Sequence, residues 1–168
     1  QLTQIVANLN YDMVGSPNGG RFIYDGDGSD SKDAGPEGSA ELEDIYEAWF
    51  DSQGLSHSPT AFSNRSDYAA FTAVGIPAGG LFTGAEAIKP KEEAASYGGV
   101  ADEPYDACYH LACDNLDNVD QAMFLEMAQA SAYAVQAVVE DEAWAARSRS
   151  RTPVNHPAVR PTGHVLTK

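Results

Sequence analysis

Six consecutive residues, Cys108-Tyr109-His110-Leu111-Ala112-Cys113, restrict this chain more than any other stretch. They contain both of its cysteines. Two thiols five positions apart fit a short-loop disulfide, which belongs to an oxidising compartment, or two ligands of a structural zinc. The zinc option lacks a clear fourth ligand, because His57 is isolated and His156 and His164 lie near the carboxyl end. A bridge around so small a loop adds only about 2 kcal/mol in the chain-entropy model. Its better use is to pin what lies inside it. His110 is a candidate metal ligand of the hydrolytic type, and Tyr109 could donate its hydroxyl to a developing oxyanion or simply fill a core.

Charge narrows the class. The net charge is −15, and all 25 acidic residues lie in residues 1–142 with five of the ten Lys and Arg. The last 26 residues hold the other five bases and no acid. An acidic body repels phosphate, so nucleic acid is an unsuitable partner. No apolar run is long enough to span a membrane, and no basic-then-apolar leader is visible. The chain opens on Gln1 rather than Met, which suggests a processed or truncated start, and the acidic body and a short-loop disulfide suit a secreted, extracellular protein.

Residues 2–14 alternate in strand fashion, with Asp12 at the carboxyl end. A turn at residues 16–20 leads to a short strand over residues 21–24. The Asp-rich stretch 25–30 imitates a calcium loop, but counting from Asp25 puts Asp30 and Pro36 where Gly and Glu are required. A solvated turn is the expectation. Helices are predicted over residues 40–53, capped by Ser39, and from Tyr68 onward. Residues 75–84 read as a strand whose paired Gly79 and Gly80 admit a close neighbour. Residues 85–107 read as a long surface loop. A buried helix follows residue 119, with Met123, Met127, Ala130, Ala134 and Val138 in its stripe, widened by Phe124, Val135 and Val139. The predicted division is a domain over residues 1–143 and a basic tail over residues 144–168. Strands alternating with helices predict an α/β sandwich, in which sites gather at the carboxyl ends of strands. Asp12 occupies such a place, and Arg65 could hold a substrate oxygen or only a surface ion pair.

Residues 9–18, 65–69 and 75–84, followed by Cys108-Tyr109-His110 and Cys113-Asp114, together resemble the carboxyl-terminal half of the secreted bacterial double-zinc aminopeptidases of the zinc exopeptidase superfamily. The resemblance covers about residues 2–140. It implies part of a three-layer α/β sandwich, with a mixed sheet flanked by helices and its amino-terminal portion missing. It implies that Asp12 binds one zinc and His110 the other, and that Tyr109 and Arg65 stabilise the tetrahedral adduct. Met13 and Phe82 fall where that family lines its pocket for an apolar amino-terminal side chain. Cys108 and Cys113 fall at its disulfide.

The same resemblance exposes a deficit. That family takes a His, a bridging Asp and a Glu–Glu pair from segments upstream of the Asp12 strand. Glu92-Glu93 lies too far downstream to serve. Leu125 and Gln129 stand where some members bind calcium through carboxylates, so calcium is not carried over. The expectation is a two-zinc aminopeptidase acting on peptides with a free amino terminus. The chain alone is then inactive, and its partner is a missing amino-terminal segment or a nicked chain. The alternatives are a non-catalytic acidic binding module on the same scaffold, or a carboxypeptidase or glutaminyl cyclase.

Overall fold

The paired glycines explain how the sheet closes around its central strand. The computed structural model describes residues 2–150. Strands β1 (Asn8–Tyr11), β2 (Phe22–Tyr24), β3 (Ser58–Thr60) and β4 (Ala78–Phe82) form one sheet in the order β1-β4-β2-β3. β4 runs parallel to β1 and antiparallel to β2, and β3 runs parallel to β2. Gly80 pairs with Asn10 at φ 144°, and a Cβ there would lie 1.9 Å from the Asn10 carbonyl oxygen. At Gly79 a Cβ would lie 2.6 Å from Cβ of Leu42. The first glycine admits a neighbouring backbone and the second a helix.

That helix is α1 (Ser39–Gln53). It covers one sheet face together with α4 (Gln121–Glu140). Ile23 and Leu81 meet Tyr46, Phe50, Met127 and Ala130 there. Burying each large side chain contributes about 1.5–3 kcal/mol. On the opposite face, α2 (Tyr68–Thr72) sets Tyr68 against Tyr24 and Ala78. The architecture is therefore a mixed sheet between helical layers, an α/β fold.

Several expectations need correction. Only Asn8–Tyr11 of residues 2–14 is strand, and Leu2–Gln4 form a 3-10 turn. Ser39 does not cap α1. Gly38 takes that place at φ 104°, and the buried Ser39 hydroxyl accepts from the Ala78 N–H at 3.1 Å, tying α1 to β4. β3 carries no strand signal in the sequence because Pro59 lies inside it, and a proline is tolerated there because β3 is an edge strand. The stretch 85–107 is not a plain loop. It holds α3 (Lys91–Tyr97) and is stapled by the fully buried Lys89, whose Nζ donates to the carbonyls of Asn18, Gly19 and Gly98 at 2.7–3.1 Å. Burial pulls this ammonium below its ordinary pKa.

The flank of α4 was expected to be buried, yet Phe124, Val135 and Val139 are exposed. Residues 142–150, mostly assigned to the tail, form α5 (Glu142–Ser150). Its Trp144 is buried, and its Arg147 pairs with Glu41 at 2.9 Å. The remainder of the expected tail, with His156 and His164, lies outside the described residues.

Candidate functional site

The site is assembled at the carboxyl end of β1. Asn10, 5% exposed, donates from Nδ2 to Ser66 Oγ at 2.9 Å and accepts from the Tyr68 N–H at 3.1 Å. It thereby anchors the segment bearing Arg65 beside the strand that ends at Asp12. Met13 then turns the chain at φ 60°. Its carbonyl accepts from the Thr83 N–H at 2.8 Å and from Thr83 Oγ1 at 2.6 Å, and Ser16 Oγ donates to the Gly84 carbonyl at 2.6 Å. The ends of β1 and β4 are thus locked together, with Thr83 and Ser16 both buried.

A small pocket of about 90 Å³ opens at this junction, and Asp12, Met13, Arg65, Phe82 and Tyr109 all line it. Five residues expected from separate parts of the chain converge here. Cys108 and Cys113 are joined by a disulfide. Inside that loop His110 sits at φ 57°, exposed, with its ring centroid 4.1 Å from that of Tyr109. His110 is not among the pocket's lining residues but stands at its edge on Tyr109.

Charge around the pocket is organised by a residue not foreseen. Glu86 pairs with Arg65 at 2.8 Å. Its carboxyl is held below the usual range by its own backbone N–H, then by Arg65, with His110 adding a smaller effect. Arg65 is pushed up by Glu86 first and by the Tyr109 hydroxyl after it. Beneath the pocket, burial, then Tyr68 and Asp12, drive the Tyr24 phenol far above its normal range, so it stays neutral.

Among the described residues, no hydrogen bond or ion pair engages the Asp12 carboxylate or the His110 ring nitrogens. A free carboxylate and a free imidazole suit zinc chemically. They do not belong to any group of three or more close metal-binding side chains among the described residues. The one such group is Asp25, Asp27 and Glu43, which each offer a ligand atom within 4.8 Å of the others. Asp25 accepts from the N–H groups of Gly28, Ser29, Asp30 and Ser31, and Glu43 from those of Gly26 and Asp27. Asp25 is fully buried, so this stretch is not the solvated turn that was expected. Burial opposes Asp25 ionisation, but the Ser31, Asp30 and Gly28 donors outweigh it and lower its pKa.

Glu43 behaves oppositely. Burial first, against the help of two N–H donors and with Asp25 and Asp27 nearby, pushes it up to about 7 from 4.5. The folded protein therefore holds an extra proton between about pH 4.5 and 7. Stability falls as pH rises through that window and levels off above it. Glu43→Gln keeps an oxygen for the two N–H groups and removes the charge. It is expected to raise stability at pH 8 by about 1–3 kcal/mol and to leave it little changed at pH 4.5, measured by urea denaturation at both values.

A second hollow, about 820 Å³ and largely apolar, lies on the other side of Met13. Val14, Leu116, Val119, Phe124 and Leu125 line it with Met13. Leu125 and Phe124 thus belong to an apolar wall.

The family model described as Peptidase family M28 matches residues 1–135. The chain belongs to peptidase family M28. It is 49% identical over 141 residues to the probable leucine aminopeptidase 2 of Aspergillus oryzae, covering 84% of this chain and 28% of that protein. It is 47% identical over 135 residues to leucine aminopeptidase 2 of Trichophyton rubrum, covering 80% and 27%. An aminopeptidase of Pseudomonas aeruginosa is 46% identical over 155 residues, covering 89% and 29%. The chain thus spans less than a third of the length of these curated relatives. In this M28 chain Glu86 was not foreseen, and Asn10 and Thr83 entered only as members of the segments that carry the resemblance.

Proposed function

We propose that this chain contributes one wall of a metal-dependent aminopeptidase site. The observation that carries the reading is the convergence of Asp12, Met13, Arg65, Phe82 and Tyr109 on one pocket, with His110 at its edge. Asp12 and His110 would each hold one zinc ion, the other ligands coming from chain beyond this sequence. Zinc, when bound, lowers the pKa of coordinated water and polarises a carbonyl. Tyr109 offers a hydroxyl to the carbonyl oxygen as it gains charge, and Arg65 lines the same pocket. Glu86 restrains Arg65 from the outer side. The apolar hollow beyond Met13 suits a Leu-like amino-terminal side chain, and the acidic body attracts a free α-ammonium group.

The names of the relatives favour aminopeptidase over the carboxypeptidase and cyclase alternatives. Secretion fits the disulfide, and no helix among the described residues is long and apolar enough to cross a membrane. Two preparations test the reading: residues 1–168 alone, and the whole protein that contains them. The whole protein is expected to release leucine from leucyl anilides and from peptides with free amino termini, to lose this activity to a chelator, and to regain it with zinc. Residues 1–168 are expected to be inactive. Zinc-dependent activity from residues 1–168 alone would show that the site needs no other segment, and a whole protein that cleaves only amino-blocked peptides would sink the aminopeptidase reading.

A further inference from the structure

The disulfide fixes the shape of the His110 loop, but it does not place that loop relative to Asp12. Both cysteines are in the loop, so the bridge moves with it. Something else must join the loop to the sheet.

Asp106 is built for that task. It is 5% exposed. Its Oδ1 accepts from the Cys108 N–H at 2.8 Å, on the entry side of the loop, and from Asn118 Nδ2 at 2.9 Å, on the exit side. A non-covalent ring over residues 106–118 therefore encloses the covalent ring over residues 108–113. The Asp106 backbone N–H donates to the Ala85 carbonyl at 2.8 Å. Ala85 lies two residues after Thr83, whose N–H and hydroxyl hold the Met13 carbonyl. A continuous path thus runs from Asp12-Met13 through Thr83 and Ala85 to Asp106 and the Cys108 N–H. We infer that Asp106, clamped by Asn118, is the positioning residue that sets His110 and Tyr109 in register with Asp12. The inference rests on the proposed aminopeptidase reading for its functional half only.

The clamp works through an acceptor oxygen, so chemistry separates it from mere bulk. Asp106→Asn keeps an oxygen for both donors, and Asp106→Ala removes it. Because a buried alanine here could impair folding, Asn118→Ala serves as a second variant that removes half of the clamp. In the whole protein, amide hydrogen exchange over residues 108–113 is read alongside kcat and KM on a leucyl substrate. Asp106→Ala is expected to speed exchange roughly tenfold or more and to lower kcat about 10- to 100-fold with little change in KM. Asn118→Ala follows with smaller changes in the same direction. Asp106→Asn is expected to stay within about fivefold of the parent in both readouts. Unchanged loop exchange in both Asp106→Ala and Asn118→Ala overturns the clamp, whatever the activity does. Faster exchange with unchanged kcat overturns the positioning role, as would an Asp106→Asn variant as impaired as the alanine. A parent protein without aminopeptidase activity would refute the functional reading instead, and loop exchange alone would then decide the clamp.

Discussion

Replacing His110 by Ala in the whole protein is expected to lower kcat/KM for leucyl substrates about a thousandfold or more, and Asp12→Ala is expected to do the same. The reasoning starts from what these side chains do not do. Asp12 and His110 are exposed and make no hydrogen bond or ion pair among the described residues. Neither supports the core, so removing them should leave the fold intact. Each costs the proposed site one metal ligand. Losing the charge stabilisation that a metal supplies, several kcal/mol, amounts to three or more powers of ten in rate. Zinc content, measured by atomic absorption after dialysis, is expected to fall in both variants, while the denaturation midpoint of the metal-free variant matches that of the metal-free parent. Full activity with full zinc content in either variant would remove that residue from the metal site. A collapse of stability in the metal-free variant relative to the metal-free parent would mean that it carries structure instead.

Much of the fold was legible in the sequence, for physical reasons that particular residues show. Gly79 and Gly80 read as sites of close approach because glycine inside a strand has few other uses, and one meets Leu42 and the other Asn10. The α4 core stripe was legible from helical spacing through Met123, Met127, Ala130 and Ala134, all of which are buried. Exposure of its neighbours was not legible. Phe124 and Val135 look like core residues in any periodicity argument, and only the packing around them shows that they face outward. β3 and α3 were hidden by prolines, Pro59 at a sheet edge and Pro90 at a helix start, where the residue is tolerated although it usually signals a break.

The site divides in the same way. Asp12, Arg65 and Tyr109 could be named as candidates only because the segments that carry them resemble those of the zinc aminopeptidases; spacing alone left each of them open. Their convergence could not, since the intervening chain includes α1, α2 and α3. Glu86 and Asp106 were illegible because an acidic residue is unremarkable in a chain with 25 of them. What distinguishes Asp106 is the donors it receives, and what distinguishes Glu86 is the guanidinium it meets. Both are long-range facts that spacing does not carry.

Tyr109→Phe separates oxyanion stabilisation from metal binding and from packing. The substitution deletes one oxygen and keeps the ring that lines the pocket and lies against His110. Zinc content and thermal stability should therefore match the parent. A donor aimed at developing charge acts mainly in the transition state, so kcat is expected to fall about 10²–10³-fold while KM changes little. Arg65 and Tyr109 line the same pocket and would act on the same developing charge, and so Arg65→Ala in a Tyr109→Phe background should cost less than Arg65→Ala in the parent. Arg65 also holds Glu86, which leaves a residual effect for the second substitution. Strict additivity of the two changes would mean that Arg65 acts on the substrate independently of Tyr109. A Tyr109→Phe variant with unchanged kcat would assign the tyrosine to packing alone and leave the oxyanion without a donor from this chain other than Arg65.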